Sequence, residues 1–144
     1  MLGEALSLYR KTFRPSQWLG KPYAMVGVGV CAADTDEEAI FLRSSQLQAF
    51  ALLMSGKPSK LPFPVEHLDL EVPRHIQALV EQALSCSATG CLRTVRKKLE
   101  MLIDTHKPDE IMVTGMIHDH NARVKSFRIA SEALVVLCEK QFAA

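Results

Sequence analysis

Leu2, Leu6, Tyr9 and Phe13 recur at the spacing of one helix face, and Pro15 ends the run because the residue before a proline avoids the α region. After a connector over 15–22, residues 23–33 pass without a single charge. This pattern predicts a strand buried on both faces, as in a parallel sheet. Asp34-Thr35-Asp36-Glu37-Glu38 follows at once, and Thr35 with Glu38 has the spacing of a reciprocal helix cap. The helix it opens is expected to reach about Ser55 and to bury Ile40, Leu47, Phe50, Ala51 and Met54, with Gly56 as its left-handed stop. Pro58, Pro62 and Pro64 exclude regular structure from 57–65, a loop of the kind that often forms a lid.

Pro73 suits a first helical residue, and Ile76, Leu79, Val80, Ala83 and Leu84 supply the next apolar stripe. A short strand fits 85–89. Leu92, Val95, Leu99, Leu102 and Ile103 mark a helix ending near Pro108, residues 111–117 form a clear strand, and Asp119 can cap a last helix carrying Phe127, Ala130, Leu134, Leu137 and Cys138. Helices alternating with strands in this way predict an α/β fold of right-handed βα units around a parallel sheet. Three strands alone leave sheet edges unpaired and apolar faces uncovered, so something else must complete the sheet.

Composition narrows the function classes. A chain of 144 residues allows one domain, taken here as 1–144, and 48% hydrophobic residues exclude disorder. A formal net charge of +1 gives no electrostatic case for nucleic acid or an anionic membrane. No apolar run reaches the roughly 18 residues of a membrane span, and the N-terminus has no signal-peptide core, so a soluble, cytoplasmic chain is expected. Cys31, Cys86, Cys91 and Cys138 show no CxxC spacing and suit buried, reduced thiols.

Candidate chemistry is sparse. His118-Asp119-His120 places two imidazoles and a carboxylate together, but Asp119 serves as a cap and residues two apart on a helix diverge, so no metal is assigned. His118, at the end of the third strand, is the catalytic candidate, for proton transfer. Thr89-Gly90 before a helix, with Arg93 in its first turn, is the candidate cofactor-binding anion site. Gly27-x-Gly29 lacks a third glycine and reads as close backbone packing. Arg93, Arg96, Lys97 and Lys98 form a solvated helix face.

Several segments together resemble the C-terminal part of the bacterial luciferase-like flavin monooxygenases. They are 5–10 (ALSLYR) with 13–16 (FRPS), 22–28 (PYAMVGV), 32–39 (AADTDEEA), and 109–114 (DEIMVT) with 119–123 (DHNAR). The resemblance implies a (β/α)8 barrel that uses reduced FMN and molecular oxygen to oxidise a small organic substrate. Such barrels need about 250 residues, so the chain would supply a partial barrel of about three βα units. Completion is then expected from a homodimer or higher homo-oligomer, or from a chain supplying the missing strands. The alternative is a non-catalytic, truncated paralogue acting as a dimerising interaction module. The family's flavin contacts come largely from earlier strands. Where the family has a Gly-Ser-Pro-Glu-type helix start, this chain has Gly90-Cys91-Leu92-Arg93 and loses the acid at the helix's positive end.

Overall fold

A computed structural model describes residues 2–142, with side chains described through Glu139. The elements follow the apolar periodicity: α1 (Leu2–Thr12), β1 (Met25–Ala32), α2 (Asp36–Met54), α3 (Leu68–Glu71), α4 (Arg74–Ala83), β2 (Ser87–Gly90), α5 (Leu92–His106), β3 (Glu110–Thr114) and α6 (His120–Phe142). Only α3 was not expected, since one turn carries too little pattern to show a period.

Local chemistry sets most boundaries. Thr35 Oγ1 accepts from Glu38 N at 3.1 Å, and Glu38 Oε2 accepts in return from Asp34 N at 3.3 Å, one residue earlier than in the standard box. Gly56 closes α2 at φ +71°, with Lys57 N donating to Leu52 O and Gly56 N to Leu53 O, the two bonds of a Schellman stop. At the end of α5, the C-cap Lys107 takes φ 45° without being glycine, and Arg10 of α1 donates to the carbonyls of His106 and Lys107.

The sheet is parallel, in the order β2-β1-β3. The first strand in the chain is therefore the middle one of the sheet, and β1 and β3 are neighbours. β3 pairs with the first part of β1 (Met25 with Glu110 through Gly29 with Thr114), and β2 with the last part on the other side (Gly29 with Ser87 through Ala32 with Gly90). Right-handed crossovers that run in opposite directions along the sheet, β1 to β2 and then β2 back past β1 to β3, place their helices on opposite faces. The side chains agree. Val26, Val28, Val30 and Ala32 pack with Val95 and Leu99 of α5 and Ala130, Ala133 and Leu137 of α6. Cys31, which points the other way, packs with Ala39 and Leu42 of α2. A third cluster joins α2 to α4 through Leu47, Ala51, Val72 and Val80.

Burial on both faces of the first strand does not hold along its length. On the α2 side of the sheet only the carboxyl half is covered, and Met25 is 48% and Met112 52% exposed. Gly27 has no atom within 4 Å of where a Cβ would stand, so close packing does not explain it, and Gly29 has only ordinary contacts with Cys86 and Ser87. Ile40 and Met54 are exposed while Ala39 and Leu42 are buried. Positions 40, 47 and 54 repeat every seven residues, which drifts about 20° per repeat on a 3.6-residue helix. Of the thiols, only Cys31 is fully buried, and Cys138 is exposed. Among the described residues no helix is long and apolar enough to cross a membrane.

Candidate functional site at the carboxyl ends of the strands

Because α2 leaves β1 toward one face and α6 leaves β3 toward the other, the two exits part at the carboxyl ends of the neighbouring β1 and β3. Open α/β sheets bind ligands at such switch points. The floor is apolar: Ile117 is fully buried against Cys31, Ala33, Ala39 and Leu42. α6 is tied to the end of β1 by Ala32 N donating to the buried Ser126 Oγ at 2.8 Å and by an ion pair between Lys125 and Asp34. Gly115 lets the chain pass close to β1, where a Cβ would stand 3.2 Å from Val30 O.

His118 follows Ile117 at the rim and is half-buried. Its ring lies against Phe63, with centroids 4.0 Å apart and planes 34° apart. Phe63 arrives from the proline-rich loop, which two hydrogen bonds fasten to α2: Gln48 Nε2 donates to Phe63 O at 3.0 Å, and Val65 N to Ser44 Oγ at 2.7 Å. The loop therefore reaches the strand ends, as a lid does, and Phe63 remains 73% exposed. This contact joins residues far apart in sequence, and no local pattern signals it.

The neighbours of His118 serve other ends. Asp119 Oδ1 accepts from Ala122 N at 2.7 Å as the cap of α6, and Arg123 Nη2 donates to His120 Nδ1 at 2.9 Å. Among the described residues, no group of three or more His, Cys, Asp or Glu could hold a metal ion. Cys31 is no nucleophile here: its thiol donates to Ala39 O, and burial pushes its pKa up to about 12.

Thr89, Gly90 and Arg93 lie on the other side of β1. Thr89 is buried in β2, its carbonyl accepting from Lys98 Nζ at 3.0 Å. The start of α5 is already served by a carboxylate, since Asp36 Oδ1 accepts from Cys91 N at 2.7 Å and Asp36 Oδ2 from Thr94 Oγ1 at 3.0 Å. The Cys91 N–H, then the Thr94 hydroxyl, holds the Asp36 pKa below the usual carboxylate range, so the group is charged at neutral pH. That carboxylate takes the Cys91 N–H that the anion site expected at Thr89, Gly90 and Arg93 would use, and it comes from a residue 55 positions earlier in the chain. Gly90 permits the approach: it stands at φ +141°, and a Cβ would lie 2.5 Å from Asp36 Oδ1.

These features define an α/β protein with a strand switch point between β1 and β3. No family model matches the chain. A luciferase-like monooxygenase of Escherichia coli strain K12 is 44% identical over 132 residues, covering 92% of this chain and 39% of the relative. The uncharacterised protein YvbT of Bacillus subtilis is 42% identical over 128 residues, covering 89% and 38% respectively. The crystal structure of apo-MsnO8 superposes with a TM-score of 0.73 at 28% identity, over 92% of this chain and 41% of that one. The chain belongs to the luciferase-like monooxygenase family. It spans about two fifths of the length of the curated relatives it matches.

Proposed function

We propose that the chain is a segment of a flavin-dependent monooxygenase barrel, contributing the carboxyl ends of β1 and β3 to a site whose flavin contacts lie outside the matched segment. The observation that carries this is the identity to a luciferase-like monooxygenase over 92% of the chain. The two neighbouring staves β1 and β3, with α5 and α6 on one side, suit two barrel units, while β2 and α2 to α4 add a layer at the carboxyl end. Reduced FMN would supply two electrons to molecular oxygen, one oxygen atom entering a small organic substrate and the other leaving as water.

This chain's own contribution is positional. The apolar floor around Ile117 excludes water, Phe63 holds the His118 ring at the rim, and the imidazole can give or take one proton where substrate enters. The charged Asp36 supports placing the flavin phosphate elsewhere. The same carboxylate and the open half of the sheet also favour a second reading, a non-catalytic paralogue that binds through that face.

The test is to replace the matched segment of the E. coli relative with this chain and follow oxygen consumption with reduced FMN. Turnover is expected, and His118→Ala in that chimera is expected to lower kcat about 100-fold. A folded chimera that binds no flavin would overturn the proposal and favour the second reading.

A further inference from the structure

Between the first part of α2 and the segment 65–68 lies a groove of about 500 Å³, the size of a small-molecule site. The two hydrogen bonds that fasten the proline-rich loop to α2 hold its far wall, so the groove is formed before any ligand arrives. It is lined largely by apolar side chains, and Ile40 is 65% and Phe41 37% exposed. Its charge has one sign: Glu37, Glu38 and Glu66 line it, and no Lys, Arg or His does. Glu38 is engaged by Asp34 N, but Glu37 and Glu66 are exposed and make no ion pair among the described residues. Arg43 of α2 is committed to Glu81, and Lys125 of α6 to Asp34. The positive end of α2 carries only about half a charge, too little to offset these carboxylates.

We infer that this groove binds a small organic cation, an ammonium group joined to an apolar body. Charge complementarity selects the occupant. The body covers Ile40 and Phe41, while the ammonium meets the carboxylates of Glu37 and Glu66. A neutral molecule gains only the apolar part of this, and an anion is repelled. A bare metal ion finds no ligand set, since no group of three or more His, Cys, Asp or Glu among the described residues could hold one. The inference stands apart from the barrel reading, because none of the lining residues belongs to the sheet.

The experiment titrates the isotope-labelled chain with phenethylammonium and, separately, with the neutral phenethyl alcohol, following backbone amides by NMR. Saturable shifts centred on residues 37–41 and 65–68 are expected, with the ammonium bound at least 10-fold tighter than the alcohol and weakened by added salt. Glu37→Gln combined with Glu66→Gln should remove that preference with circular dichroism unchanged, whereas Glu132→Gln, exposed on α6, should keep it. The inference is overturned if the ammonium does not saturate the chain, if the alcohol binds as tightly, or if a folded double variant retains the preference. Because the comparison of the two probes uses the unaltered chain, it decides the matter even where the double variant does not fold.

Discussion

The two faces of the sheet carry residues of similar character and differ in fate. Val26, Val28 and Val30 are sealed by α5 and α6, while Met25, one position from Val26 along β1, and Met112 of the neighbouring β3 remain in solvent. Side-chain apolarity does not separate them. The difference comes from where the crossovers go: α5 and α6 span the first face, whereas α2 turns away after covering only Cys31 and the carboxyl end of the other.

Substitutions should therefore sort by face. Leu99→Ala, at a fully buried position under the sealed face, should cost about 3 kcal/mol in urea unfolding. Gly90→Ala should cost about 2 kcal/mol, because it strains a left-handed residue and pushes the new methyl onto Asp36 and Thr94. Asp36→Asn should leave the α5 start weaker at neutral pH and remove an acid dependence. The Asp36 pKa is lowered on folding, so its contribution is complete above the ordinary carboxylate range and disappears as pH falls through the folded value.

The covered end of the second face makes its own test. Cys31 titrates at 9.0 when unfolded and about 12 when folded, so the unfolded chain loses its proton first and stability falls as pH rises past 9. Cys31 should account for about 1.4 kcal/mol of the loss between pH 8 and 10, and Cys31→Ala should remove that share in paired unfolding curves, leaving the share of Cys86, whose thiol burial also pushes up. Smallest of all, Met112→Ala on the open half should stay within about 0.5 kcal/mol of the parent. A cost near that of Leu99→Ala would mean the open half is covered in solution.

Most elements were legible because their signals are local: the 3.6-residue stripe of α5, the prolines at 58, 62 and 64, the caps at Thr35 and Asp119. What escaped was pairing across distance. Nothing near residues 87–90 states that they join β1 on the side away from β3, and an uncharged run such as 23–33 reads alike whether one face is covered or two. The site shows the same division. His118 could be placed from its position after a strand, but its stacking on Phe63 depends on how a loop anchored to Ser44 and Gln48 returns. Asp36 had a sufficient local role in the first turn of α2, which masked its service to α5.

That double service couples positions 36, 90 and 93 at one corner of the molecule. Grafting an acid at Arg93 would set a second carboxylate at a helix end already holding one, and would be tolerated only after Asp36 is neutralised. Enlarging Gly90 first would close the route by which Asp36 reaches Cys91. Sequence change at this corner must therefore come in a particular order, with residue 36 moving before either of the others.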